Sequence, residues 1–346
     1  MSRSWLVLTD GYLMERAAKT AHGVIRYSDD PIAAVLDHDH AGKQLKELMP
    51  DLGRDAPIVA TVAEGAELGA NALLLGVATP GGWMPDHWRE WIIDSLKRGM
   101  EVVNGLHRFL RDDPEFVQLA EEHGARIWDV RDPPKDIPLC SGKALDAPQK
   151  IVATVGSDCA VGKKTVAIEI ARAGAAAGTK TEFVATGQTG IMIAGRGIAV
   201  DRVIADFLAG AAEKLVLESD PDSEVLLIEG QGSLWHPAYS GVTLGLLHGS
   251  APESLVFCHK AGHTEIEEPP FTKLPPVPDM IRILEEAAST LRPAKTACVA
   301  LNCQHLDPDE ARRAIGEMED LTGLPTGDVL VGDATKLWDA VAKDLV

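Results

Sequence analysis

Short apolar runs alternate with longer stretches whose hydrophobic positions recur every three or four residues, and this alternation organises the first 130 positions. WLVLT (5–9), IAAVLD (32–37), PIVATV (57–62), ALLLGV (72–77), EVVNG (101–105) and ARIWDV (125–130) are rich in leucine and β-branched residues and read as strands. The stretches 86–98 and 114–123 read as helices, with Asp86 and Asp113 at the N-cap positions and Pro114 suited to a first turn. Strand and helix in alternation imply a parallel sheet with helices on its faces.

The pattern breaks at RDPPKDIPLCSGKALDAPQK (131–150), where prolines, glycine and serine replace any hydrophobic period, the mark of a linker. Alternation then resumes. Strands are expected at 150–155, 182–185, 224–229, 254–258, 296–301 and 328–331, and helices at 162–177, 200–211, 279–289, 308–319 and 334–344. The chain therefore reads as two α/β domains, 1–138 and 150–346, joined by a linker at 139–149. Segments 186–199 and 230–252 are glycine-rich and without a period, and loops of that length are usually functional.

Composition narrows the partners. The chain has 346 residues, more than one core usually serves, and 45% of them are hydrophobic. Lys+Arg total 33 against 52 Asp+Glu, a formal net charge of -19, which argues against nucleic acid and against an anionic membrane surface. A small anionic ligand remains compatible if a few cations converge. Cys140, Cys159, Cys258, Cys298 and Cys303 are scattered without a C-x-x-C pair, so neither a disulfide framework nor a zinc site is expected. The opening MSRSWLVLTDGY meets Asp10 too early for a signal peptide, and no apolar stretch is long enough to span a bilayer. The expectation is a cytoplasmic protein acting on a small molecule.

The chemistry concentrates in GSDCAVGKKT, comprising Gly156, Ser157, Asp158, Cys159, Ala160, Val161, Gly162, Lys163, Lys164 and Thr165. A strand, KIVATV, precedes it and an alanine-rich helix follows, which is the setting of a phosphate-binding loop whose amides and helix N-terminus point at one anion. If Lys163 is the loop's lysine, Lys164 stands where a metal-binding hydroxyl is usual, and an ammonium cannot ligate a cation. Thr165 lies about 100° further round the helix. The alternative registration makes Lys164 and Thr165 the functional pair and admits Mg²⁺. The first registration suits a diphosphate held without catalytic metal, such as that of coenzyme A.

Three further stretches leave strand ends. EVLLIEGQGSLWHPAYSGVTLGLLHGS (224–250) delivers Glu229 to the carboxyl edge of a sheet, where it could bind a metal, bind an amine, act as a base or cap a turn. VATGQTGIMIAGRGIAVDRVIADF (184–207) carries Gln188, Thr189 and Arg196. Asn302 follows ACVAL and offers a donor and an acceptor together, as an adenine edge requires. Among His236, His248, His259 and His263, the first two lie in the glycine-rich segment after Glu229 and are preferred as proton acceptors, with Tyr239 between them as a donor. Cys159 reads as a small loop residue rather than a nucleophile. In KTAHGVIRY (19–27), Lys19, His22 and Arg26 form either a carboxylate site or a solvated basic patch, and TPGGWMPDHW (79–88) faces a ligand only by position.

GSDCAVGKKT, GQTGIMIAG running into GIAVDRVIADFLAGA, IEGQGSLWHPAYSGVTLGLLHGS and KTAHGVIRY together resemble one family, long catalogued as a domain of unknown function, whose characterised members are D-glutamate N-acetyltransferases using acetyl-coenzyme A. The resemblance implies a Rossmann-like N-terminal parallel sheet and a P-loop NTPase-like C-terminal parallel sheet. It also implies that Lys164 fills a variable position of the loop and that Thr165 is the family's own threonine. The loop resembles dethiobiotin synthetase as well, in its opening glycine to Asp158 and in Glu229-Gly230, but that ATP- and Mg²⁺-dependent ligase has threonine directly after the lysine. On this reading residues 156–165 and Asn302 hold the cofactor, and Glu229 binds or deprotonates the amine, assisted by His236 or His248. Tyr239 protonates the thiol, and Gln188, Thr189, Arg196, Arg26 and Lys19 bind the substrate. The competing expectations are an ATP-dependent ligase or kinase and a non-catalytic nucleotide or acyl-coenzyme A sensor. P-loop relatives often dimerise, so a homo-oligomer is an expectation without a self-complementary face to support it.

Overall fold

The computed structural model describes residues 3–79, 82–267 and 271–345; Pro80 and Gly81 of the TPGGWMPDHW loop lie outside the described residues. Chain contacts divide the protein into two units. The first runs to Asp132 and includes Ile191–Arg196; the second comprises Pro133–Gly190 and the chain from Gly197 onward.

In the first unit, β1 (Trp5–Leu8), β2 (Ile32–Leu36), β3 (Ile58–Val59), β4 (Ala72–Leu75), β5 (Glu101–Asn104) and β6 (Ile127–Asp129) form a parallel sheet in the order β3-β2-β1-β4-β5-β6. This is the doubly wound order, with its switch point between β1 and β4. The strands are connected through α1 (Lys19–Tyr27), α2 (Leu45–Leu48), α3 (Val62–Glu67), α4 (Trp88–Lys97) and α5 (Pro114–His123). β1 and β4 are buried along their whole length, as strands covered on both faces must be.

The second unit is a parallel sheet of β7 (Lys150–Gly156), β8 (Thr181–Val184), β9 (Val225–Ile228), β10 (Ser254–Lys260), β11 (Lys295–Asn302) and β12 (Thr326–Gly327), ordered β12-β11-β10-β7-β9-β8. Its helices are α6 (Lys163–Ala176), the first turn of α7 (Gln188–Ala194, which from Ile191 onward belongs to the first unit), α8 (Ala205–Leu217), α9 (Ser240–Ser250), α10 (Val277–Ala288), α11 (Pro308–Thr322) and α12 (Ala334–Asp344). β7 lies between β10 and β9. Its side chains alternate between two cores: Ile151, Ala153 and Val155 join one cluster and Val152 the other. This places the end of β7, and the loop after it, among the ends of its neighbours. No helix among the described residues is long and apolar enough to cross a membrane.

Several elements differ from the expected ones. PIVATV is a strand only at Ile58–Val59, because Thr61 and Glu64 form a capping box that starts α3. Asp113 caps α5 as expected, whereas α4 starts after His87, not Asp86, and His87 makes no side-chain cap bond. KTAHGVIRY is a helix, α1, and 328–331 is a turn beyond β12. The two segments expected to be loops contain α7 and α9. α9 lacks a readable period because its glycine face lets α8 approach: a Cβ on Gly245 would lie 2.1 Å from Leu208 Cδ2, and one on Gly249 2.0 Å from Ala209 O.

The segment at 139–149 is anchored by Glu213 of α8, whose carboxylate accepts hydrogen bonds from Ser141 N (2.9 Å), Ser141 Oγ (2.9 Å) and Lys143 N (2.6 Å). Burial pushes this acid up, but the donors outweigh it and hold it below its usual value. A depressed carboxylate stabilises the fold above its unfolded pKa and loses that contribution as pH falls through the folded value. Glu213→Ala removes the acceptor shared by the Ser141 and Lys143 amides and the Ser141 hydroxyl and is expected to cost about 1–2 kcal/mol in urea unfolding at neutral pH. The deficit should shrink in acid. A cost under about 0.5 kcal/mol would mean that the segment is not anchored there.

Candidate functional site

β7 ends at Gly156, and α6 begins at Lys163 after a left-handed Gly162 (φ 111°) at its N-cap. Ala160 is also left-handed (φ 50°), so the residues around Val161 alternate in hand, a conformation that turns successive amides toward an anion. Asp158 is buried and pins the loop from outside: its carboxylate accepts from Cys159 N (2.6 Å), Glu267 N (2.9 Å) and His263 Nε2 (3.2 Å). Ser157 pairs through Oγ with His259 Nδ1 at 2.8 Å, and its carbonyl accepts from Ser233 Oγ at 2.8 Å. Burial, with His263 nearby, pushes His259 down to about 4, so the ring that supports Ser157 is neutral at pH 7.

Lys163 is buried, and its ammonium donates to Asp158 O at 2.6 Å. Desolvation lowers its pKa, opposed by Cys159, Cys258, Asp158 and Glu229. Such an ammonium gains from an anionic partner, because pairing relieves the cost of burying its charge.

Glu229 follows β9, whose Ile228 is paired with Ala153 of β7 and with Val184 of β8. Its buried carboxylate crosses to the exit of β8 and accepts from Thr186 N (2.9 Å) and Gly187 N (3.0 Å). It thus caps a turn, though on the neighbouring strand rather than its own. Burial pushes Glu229 up to about 7, against the amides of Thr186 and Gly187 and the charges of Lys164 and Lys163. The group therefore changes charge near neutrality. Gly190 leaves room for it, since a Cβ there would lie 2.3 Å from Glu229 Oε2. Gly190→Ala is expected to displace the carboxylate, lowering stability by about 1–3 kcal/mol in thermal unfolding. A melting temperature equal to wild type would show that the carboxylate has space to spare.

His236 is 3% exposed and lies in the turn after Glu229. Its Nδ1 accepts from Ala238 N at 3.3 Å, so in the neutral ring the proton resides on Nε2. Nε2 has no hydrogen-bond partner among the described residues, and its ring packs against Tyr239 with centroids 4.5 Å apart. A ring nitrogen of His236, Cys159 Sγ and a carboxylate oxygen of Asp158 lie within 4.8 Å of one another, the one group of metal-binding spacing among the described residues. With its proton on Nε2, His236 is a donor, which suits an anionic or carbonyl oxygen better than a cation or a departing proton.

The second unit thus gathers the loop 156–165, Glu229 and His236. Tyr239 is 42% exposed beside them. Gln188 and Thr189 open α7 next to the amide that Glu229 holds. Asn302 ends β11, with Nδ2 at 4.0 Å from where a Cβ on Gly162 would be. His248 is not brought there: it lies in the last turn of α9 and pairs with Ala287 O of α10 at 3.2 Å. Lys19 and Arg26 lie on α1 of the first unit, where Arg26 donates to Asp51 O at 2.7 Å, and the exposed Arg196 belongs to the same unit. His259 and His263, passed over in favour of His248, are the histidines that hold the loop. Thr154 was also missed; its Oγ1 accepts from Gly230 N at 2.9 Å, and its only signal was a hydroxyl inside an apolar strand.

Comparison with known proteins covers both units. The DUF1611 family's P-loop domain, described as a domain of unknown function, matches residues 138–338, and its Rossmann-like N-terminal domain matches residues 38–133. A D-glutamate N-acetyltransferase of Tritonibacter scottomollicae is 37% identical over 306 residues, covering 88% of this chain and 90% of the relative. A second D-glutamate N-acetyltransferase, from a Pseudoalteromonas species, is 36% identical over 274 residues, 78% of this chain and 81% of the relative. The crystal structure of a DUF1611 family protein from Anabaena variabilis superposes with a TM-score of 0.93 at 38% identity, covering 99% of each chain.

Proposed function

This chain belongs to the DUF1611 family and is an acyltransferase, and from that premise we propose that it moves acetyl from acetyl-coenzyme A to the amine of D-glutamate, as a step in D-amino acid breakdown. The observation that carries the reading is similarity to D-glutamate N-acetyltransferases across 88% of the chain, both units included.

The site chemistry supports it. The left-handed residues of the loop, the buried Lys163 and the donor on His236 Nε2 form an anion cradle fit for the cofactor's diphosphate. Lys164 follows Lys163 directly, so no hydroxyl stands where Mg²⁺ is usually held. Acetyl transfer requires an unprotonated amine, donors to the carbonyl oxygen as it gains charge, and a proton for the sulfur. Glu229, changing charge near 7, is matched to taking the amine's proton at neutral pH. Tyr239, part-exposed against His236, is the donor for the thiol.

The test is calorimetric titration with coenzyme A and with ATP, each with and without Mg²⁺, followed by an acetylation assay on D-glutamate. Metal-independent coenzyme A binding and acetylation of D-glutamate are expected. Tight ATP binding only with Mg²⁺, accompanied by ADP release, would replace this reading with a ligase of the dethiobiotin synthetase type. Coenzyme A binding without turnover on any amine would indicate a sensor.

A further inference from the structure

Cys159 lies inside the anion loop, and the function proposed above gives its thiol no task. It is half-buried just before α6 begins, where a helix N-terminus favours a negative sulfur. No histidine adjoins it in sequence, but the turn after β9 supplies one: a ring nitrogen of His236 and a carboxylate oxygen of Asp158 lie within 4.8 Å of its Sγ. His236 is 3% exposed, its Nδ1 is taken by Ala238 N, and its Nε2 has no partner among the described residues. The imidazole thus has one hydrogen bond to offer, beside the thiol. Asp158 opposes a thiolate less than a bare carboxylate would, because Cys159 N, Glu267 N and His263 Nε2 already share its charge. Lys163 favours one: burial lowers its pKa, and Cys159 is the first of the groups that hold it up, ahead of Cys258, Asp158 and Glu229. A buried ammonium and an unused donor both favour negative charge on this sulfur.

The other cysteines lack that setting. Burial pushes the thiol of Cys258 up to about 12 and that of Cys303 up to about 11, and it raises Cys298 as well. Thiols kept protonated in an apolar core are inert. Cys140 is half-buried like Cys159, but its Sγ faces a carboxylate oxygen of Glu213 at 3.8 Å, which opposes a thiolate. Charge, not exposure alone, singles out Cys159.

We propose that Cys159 is a modification site at which a hydroperoxide converts the thiol to a sulfenic acid, closing the loop to the cofactor's diphosphate until a small thiol reduces it. This deepens the function proposed above and rests on its placing of the diphosphate in the loop. The thiolate sulfur attacks one peroxide oxygen, so that an S–O bond forms as the O–O bond breaks. Sulfur gives up an electron pair, and the departing hydroxide takes up the proton that the thiol released and becomes water. The sulfenic oxygen accepts from His236 Nε2, the donor that the diphosphate would otherwise use. A small thiol then displaces water to form a mixed disulfide, and a second releases the Cys159 thiol and leaves as the small-molecule disulfide.

The experiment has two arms, both on the full chain. In the first, hydrogen peroxide is added together with dimedone, a trap for sulfenic acid, and the labelled peptides are followed by mass spectrometry. Cys159 is expected to label at least about tenfold faster than Cys140, and coenzyme A should slow its labelling about tenfold. His236→Ala should slow it about threefold or more, in protein shown by its melting curve to be folded. In the second arm, coenzyme A is titrated calorimetrically before peroxide, after it, and after dithiothreitol. Peroxide should weaken binding at least about tenfold, and dithiothreitol should restore it. Cys159→Ser, whatever its starting affinity, should keep that affinity through the treatment. Labelling of Cys159 no faster than Cys140 would overturn the site and leave the acetyltransferase reading standing. An equal loss of affinity in treated Cys159→Ser would also overturn it, since another residue would then carry the effect. If untreated wild type bound no coenzyme A, the cofactor reading itself would fall, and the closure with it.

Discussion

Lys163→Ala is expected to weaken coenzyme A binding by about a hundredfold or more, the largest effect of any single change in the loop. The estimate follows from a buried charge meeting a diphosphate: truncating one partner of a desolvated, hydrogen-bonded charge pair typically costs about 2–5 kcal/mol. Lys163 meets that condition, being buried with its ammonium 2.6 Å from Asp158 O. Because burial holds its pKa below the usual lysine value, the charge is lost earlier than normal as pH rises. An anion restores it, so binding should take up protons at alkaline pH. Titration in buffers of different ionisation enthalpy reads that uptake directly. Coenzyme A affinity within about threefold of wild type in Lys163→Ala would remove the loop from cofactor binding.

Glu229→Gln is expected to lower kcat by about 10²–10⁴-fold, the usual range for loss of a positioned acid or base. The wild-type profile should rise with pH through about 7, where burial has moved this carboxyl, because only the ionised form accepts a proton from the amine. The variant should lose that ascending limb. Stability should move in the opposite direction: a carboxyl raised in the fold binds more protons folded than unfolded, so wild type loses stability as pH rises from its ordinary 4.5 toward 7. Glu229→Gln, which cannot ionise, should not show that loss. Because Thr186 and Gly187 also donate to this side chain, melting curves must accompany the kinetics. Normal kcat in a folded Glu229→Gln protein would return the residue to a purely capping role.

Much of the fold was legible. Among the described residues, eleven of the twelve strands overlap their predicted runs, because strands buried on both faces are continuous apolar segments. The exception, β12, is two residues long and carries no pattern of its own. α9 was hidden for a different reason: Gly245 and Gly249 face α8, so the surface that packs most closely holds no hydrophobic side chain to mark it. α1 was read only as a carboxylate site or a basic patch because Lys19, His22 and Arg26 stand out, while its buried face is spread over Ala21, Val24, Ile25 and Tyr27.

The candidate site divides in the same way. GSDCAVGKKT was identifiable because a phosphate loop is a local object: strand, left-handed turn and helix N-terminus lie within one short stretch, so spacing alone specifies them. The histidines were not, because their roles depend on what the sheet brings near. His248 follows Glu229 as closely in sequence as a partner would, yet α9 carries it away, at 1.5 Å per residue, to face α10. His259 and His263 reach the loop from the far end of β10.

The sequence by itself determined the class of fold, the two-part division and the place of the P-loop, since each is written in periodicity or in contiguous spacing. Tertiary structure alone decided which residues share a site. Parallel strands bring residues distant in the chain to one edge, where Glu229 meets the amides of Thr186 and Gly187. Burial alone decided the charges there, because desolvation moves Glu229 and Lys163 toward neutrality and depends on surroundings that no local pattern of residues records.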